Sequence, residues 1–122
     1  MSETKLNSVT PILQVTDLQR AIAFYRDVLG FTQGWIVGDP PWLASVCRDA
    51  VEFHVHVVEK PVPSHVYLNV NGVRDYFAGI AAKDAKVIYP LADREYGMRD
   101  GRIADLDGNQ IGIGENIEDC PP

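Results

Sequence analysis

The sequence predicts an α+β fold in which two β-α-β-β-β modules form a curved mixed sheet with helices on its convex face. Two stretches carry the prediction: "TPILQVTDLQRAIAFYRDVLG" reads as strand then helix, and "SHVYLNVNGVRDYFAGIAAKDA" repeats that order further along. Each is followed by short runs with the alternation of half-buried strands. At 122 residues and 46% hydrophobic content, the chain has material for about one ordinary core. We therefore expect a single domain over 1–122, with module one at about 8–58, module two at about 64–115 and a tail at 116–122.

Taken in order, "TPILQV" is the first strand. The helix after it places Leu18, Ala21, Ile22, Tyr25, Val28 and Leu29 on one stripe, the spacing of a helix that covers something apolar. Thr16 followed by Gln19 has the capping-box pattern at its start, and Gly30 suits its end. Three strands are then expected, "FTQGWIV", "WLASVCR" and "VEFHVHVV", broken by "GDPP" and "DA". In the second half, "SHVYLNV" leads to a helix with Val73, Phe77, Ile80 and Ala81 on its stripe and Asn71 as its expected cap. Strand candidates "KVIYP", "REYGMR", "RIADL" and "QIGIGE" follow, with Asp107-Gly108 turning the chain into the last. Laying one half on the other places Val15 on Val70, Leu18 on Val73, Thr10 on His65 and His54 on Gly112.

Alternation also assigns faces. Val51, Phe53, Val55 and Val57 belong beneath the helices, which sends Glu52, His54 and His56 to the helix-free face. By the same parity Val66, Leu68 and Val70 point inward, while His65, Tyr67 and Asn69 join the open face.

Composition narrows the function. A net charge of −6 with no cluster of Lys and Arg argues against a nucleic-acid or anionic-membrane partner. No apolar run reaches the roughly 20 residues that cross a bilayer, and "MSETKLNSVT" lacks the order of a secretion signal, so the expected compartment is the cytoplasm. Cys47 and Cys120 lie far apart and belong to no Cys/His set of zinc-site spacing. No P-loop, dinucleotide fingerprint or nucleophile elbow is present; "GDPP" and "DLDGN" are read as turns.

Three segments, "PILQVTDLQRAIAFYRDVLGF", "GDPPWLASVCRDAVEFHV" and "YGMRDGRIADLDGNQIGIGE", resemble the vicinal oxygen chelate superfamily, which contains glyoxalase I, extradiol dioxygenases, fosfomycin-resistance enzymes and bleomycin-resistance binding proteins. The middle segment is most similar to the bleomycin-resistance-like branch. The resemblance implies the glyoxalase/bleomycin-resistance fold and a homodimer. It also implies that positions where metal-dependent members carry ligands correspond to Thr10, His54 (or Glu52), His65 and Gly112. Only the two imidazoles among Thr10, His54, His65 and Gly112 are good transition-metal ligands, short of the three common at catalytic zinc sites.

Two function classes remain. The first, which we favour, is a metal-free binding protein that sequesters an organic, aromatic or cationic molecule. Its contacts would be Trp35, Trp42, Glu52, His54, His56, His65, Tyr67 and Arg102, with the acidic balance favouring a cation. The second is a lyase, isomerase or dioxygenase with a divalent Zn, Ni, Mn or Fe ion on His54, His65 and Glu52, or with Glu52 as base. A bulge in the last strand could bring Glu115 into that set. Read without the resemblance, the histidines are polar residues facing water, and the tryptophans are core or interface residues.

Overall fold

The computed structural model describes residues 3–117. In chain order it holds β1 (Ile12–Val15), α1 (Leu18–Asp27), β2 (Thr32–Gly38), β3 (Pro41–Arg48), β4 (Val51–Val57), β5 (His65–Asn69), α2 (Val73–Ala81), β6 (Lys86–Asp93), β7 (Met98–Ala104) and β8 (Gln110–Asn116). The strands form two four-stranded mixed sheets of the same topology, β1-β4-β3-β2 and β5-β8-β7-β6. In each, the first and last strands of the module run parallel, with Ile12 opposite His54 and Tyr67 opposite Gly112, and the other pairs are antiparallel. A parallel first pair requires a crossover, which α1 and α2 supply.

The buried residues follow the alternation read from sequence. Leu13, Val15, Phe53 and Val55 join Tyr25 and Leu29 under α1, and Leu68, Ile103, Ile111 and Ile113 join Phe77 and Ile80 under α2, all in one continuous core. Tyr25 stands edge-on to Phe24, Phe31 and Phe53, and Phe31 stacks on Phe53 with centroids 5.3 Å apart. Polar contacts also join the halves. The Tyr25 hydroxyl donates to Asp105 Oδ2 at 2.7 Å, Asn109 Nδ2 donates to the Gln14 carbonyl at 2.9 Å, and the Tyr76 hydroxyl donates to the Leu29 carbonyl at 2.7 Å.

Three local expectations are corrected. The N-cap of α1 is Asp17, extended at φ −139°, whose Oδ1 accepts from Arg20 N at 3.0 Å. Thr16 instead donates its hydroxyl to Asp107 Oδ1 at 2.8 Å, a contact across the halves that outcompetes the local cap. The cap of α2 is not Asn71 but Gly72, in the left-handed region at φ 80° and without a side chain to contribute. Glu115 of β8 takes over, accepting from Val73 N at 3.1 Å and Gly72 N at 3.3 Å, and these backbone donors hold its carboxyl below the usual range. Finally, "REYGMR" is not a strand of its own. Gly97 N bonds to the Arg94 carbonyl and Arg94 N to the Met98 carbonyl, closing a turn, so that Met98 and Arg99 already belong to β7.

Among the described residues no helix is long and apolar enough to cross a membrane. Most of the tail, including Cys120, lies outside the described residues, as does any pairing of that cysteine.

Candidate functional site

The helix-free face carries two polar and aromatic walls, one on each sheet. On the first, β4 displays Glu52, His54 and His56 as the alternation requires. His54 Nε2 lies 3.1 Å from Glu52 Oε2, and the Trp35 ring meets the His54 ring edge-on with centroids 4.7 Å apart. Trp35 reaches this position because β2 is irregular between Gln33 and Ile36, where the Ser45 hydroxyl accepts from Trp35 N at 3.0 Å. Trp42 stands beside His56 with centroids 5.5 Å apart, near the turn made by "GDPP". Both indoles are more than two-fifths exposed, so neither is a core residue of this chain.

The second wall is built around Tyr67. Its ring lies on β8 over Gly112 and Gly114: a Cβ added to Gly112 would stand 2.8 Å from Tyr67 Cδ1, and one on Gly114 would collide with the Tyr67 hydroxyl. Those two glycines make the close approach possible. The Tyr67 hydroxyl donates to Asp100 Oδ2 at 2.9 Å, the Tyr96 hydroxyl donates to the same oxygen at 2.8 Å, and Arg94 Nε donates to Oδ1 at 2.9 Å. Burial pushes the Asp100 carboxyl up, but hydrogen bonds from Tyr96, Arg94 and Tyr67 outweigh it and hold the group below the ordinary carboxylate range. Burial and the same carboxylate push the Tyr67 phenol up, so it stays a hydrogen-bond donor. Across the cavity Arg102 sits over the Tyr89 ring, 5.1 Å from its centroid, and its Nη1 donates to Gln110 Oε1 at 3.0 Å.

The expected contact residues therefore fall into two groups: Trp35, Trp42, Glu52, His54 and His56 on one wall, and Tyr67 with Arg102 on the other. The exposed His65 opens β5, with Nε2 3.6 Å from the place of a Gly112 Cβ. Glu52 and Tyr67 share the lining of a groove of about 510 Å³ where the first residues of β4 pass β5. Sequence reasoning missed Tyr89, Arg94, Tyr96 and Asp100. Parity could have found Asp100, two residues before Arg102 on the same strand, but Tyr89 faces Arg102 only through irregular pairing of β6 with β7.

The donors do not fit a divalent ion. Gly112 has no side chain and the Tyr67 ring covers it, while Glu52 is engaged by His54. Glu115 caps α2, and among the described residues no three His, Cys, Asp or Glu side chains stand close enough to hold a metal.

A model of the Glyoxalase/Bleomycin resistance protein/Dioxygenase superfamily matches residues 5–113. No curated protein matches the sequence significantly. Among solved structures the chain is similar to TioX from Micromonospora sp. ML1, with TM-score 0.81 and 21% identity over 90% of this chain and 98% of that one. It is also similar to lactoylglutathione lyase from Agrobacterium tumefaciens, with TM-score 0.74 and 20% identity over 93% and 96% of the two chains. A virulence protein from Salmonella typhimurium gives TM-score 0.70 and 21% identity over 95% and 99%. Identities this low speak for the fold alone. With the family model spanning both modules, the chain belongs to the glyoxalase/bleomycin resistance protein/dioxygenase superfamily.

Proposed function

We infer that this protein is a small-molecule binding protein of the bleomycin-resistance-like type, which sequesters an aromatic organic ligand between its two walls without a metal. The observation that carries the reading is the Tyr67 ring seated on Gly112, which fills the place of a last-strand ligand with an aromatic surface. Trp35 and Trp42, more than two-fifths exposed, offer flat faces on the other sheet, and such faces suit planar guests. His54, His56 and His65 then serve as polar contacts that orient the ligand. The protein works in this reading as a cytoplasmic homodimer, supported by the apolar surface of Ile36 and Val37 on the β2–β3 hairpin, each 40% exposed.

The test is a panel of planar aromatic antibiotics titrated into chelator-treated protein, with each compound recovered and weighed by mass spectrometry. Binding that survives chelation, returns the compound unchanged and weakens about tenfold in Trp35→Ala is the expected result. Conversion of any compound, or binding that needs a divalent ion, contradicts it. One contact favours a second reading as a lyase, isomerase or dioxygenase: Glu52 lies 3.1 Å from His54 Nε2, a geometry in which a carboxylate base and an imidazole can share a proton.

A further inference from the structure

The wall around Tyr67 encloses a cavity of about 330 Å³, and its charges are unequally spent. Asp100 is only 7% exposed, and both of its carboxylate oxygens are taken by Arg94, Tyr67 and Tyr96. Arg94 is spent in the same way, with Nη2 donating to the Pro90 carbonyl at 2.7 Å and the Asp100 carbonyl at 3.0 Å. Arg102 differs. Among the described residues no carboxylate pairs with it, and one of its N–H donors goes to the neutral Gln110 side chain. A guanidinium carries five donors in a planar fork, so most of the Arg102 fork is open to a guest. Tyr89 supports the fork from beneath.

The uncompensated charge in this cavity is thus positive, although the whole protein is acidic at −6. Local charge decides what a partly enclosed cavity accepts, because its walls screen less than bulk water does. The phenol rings of Tyr67, Tyr89 and Tyr96 supply flat apolar area around the fork. A volume at the small end of the range for organic-ligand pockets has room for about one or two fused rings.

The geometry points to a planar aromatic acid as the ligand class of this cavity, with its rings among Tyr67, Tyr89 and Tyr96 and its carboxylate paired with the Arg102 guanidinium. The assignment rests on the sequestering reading above and deepens it. It replaces the cationic guest that net charge alone favours.

The test compares three probes of one ring system: 2-naphthoate, 2-naphthalenemethanol and 2-naphthylmethylammonium, titrated calorimetrically into chelator-treated protein and into Arg102→Met, Arg102→Lys and Tyr89→Leu. The carboxylate is expected to bind at least about tenfold more tightly than either of the others, the worth of one charge-assisted pair. In Arg102→Met that ratio should fall to about one, and Arg102→Lys should restore part of it. Tyr89→Leu should weaken all three probes, and circular dichroism confirms folding of each variant. Equal affinities, or a preference for the ammonium, would overturn the assignment and leave sequestration standing. Failure of all three to bind folded protein overturns the assignment and removes this cavity from the binding site. A naphthoate preference that Arg102→Met does not change also overturns it. Chemical conversion of a probe would count against sequestration and not against the charge preference.

Discussion

Asp105 accepts four hydrogen bonds: from the Tyr25 hydroxyl, from Asn109 Nδ2 and from the backbone N–H groups of Asp107 and Asn109. This side chain, 7% exposed, ties α1 of the first module to the β7–β8 turn of the second. Truncating one donor removes one bond, whereas truncating the acceptor strands several buried donors at once. Tyr25→Phe is therefore expected to cost about 1–2 kcal/mol in urea unfolding, and Asp105→Ala about 3 kcal/mol or more. Asp100 gives a pH-dependent counterpart. Its carboxyl is held below the ordinary range in the fold, so its stabilisation is present above the unfolded value and is lost as pH falls through the folded one. Wild type should lose stability in acid from about pH 4 downward. Asp100→Asn should flatten that acid limb while lowering stability at neutral pH; an unchanged limb would show that this carboxyl is not protonating there. At this scale the sequence was legible wherever parity alone decides. Glu52, His54, His56 and Tyr67 all face away from the helices as read, but the partners of Asp105 and Asp100 come from distant segments that no local pattern relates.

The last strand, β8, does two jobs on its two faces. Ile111 and Ile113 pack beneath α2, Glu115 caps that helix, and Gly112 and Gly114 seat Tyr67. Because Gly72 provides no capping side chain, Glu115→Ala should speed hydrogen exchange at Val73 and its neighbours in the first turn of α2 more than elsewhere. Uniform exchange across the molecule would argue against this capping role. Gly114→Ala tests the other face. Its Cβ would fall on the Tyr67 hydroxyl, so the ring must shift and its bond to Asp100 is disturbed. A loss of about 1–3 kcal/mol is expected, together with weaker binding of an aromatic probe. Strand and helix identities were legible from period, since the apolar stripes of α1 and α2 and the alternation of β4 are strong. The caps were not, because Thr16 and Glu115 are both recruited across the tertiary structure. The merged strand β7 was likewise hidden, because "REYGMR" contains both a turn and a strand start.

At the scale of the whole molecule, the repeat read from the sequence becomes two sheets of identical strand order joined by one core and by the Tyr25–Asp105 and Tyr76–Leu29 contacts. That repetition was legible because each half restarts with the same strand-helix grammar. What two such halves do together was not, since a cleft is defined by side chains that meet only after folding. The hairpin surface around Ile36 and Val37 should be covered in a homodimer, and light scattering at micromolar concentration is expected to give twice the chain mass of 13.5 kDa. A monomer would contradict the homodimer. The central claim is that the open face binds an organic guest and no metal. It is tested most directly by calorimetric titration of chelator-treated protein with Zn²⁺, Ni²⁺, Mn²⁺ and, anaerobically, Fe²⁺, alongside His54→Ala and His65→Ala. Weak or absent binding that neither substitution changes is the expected result; stoichiometric sub-micromolar binding lost in both variants would contradict the claim.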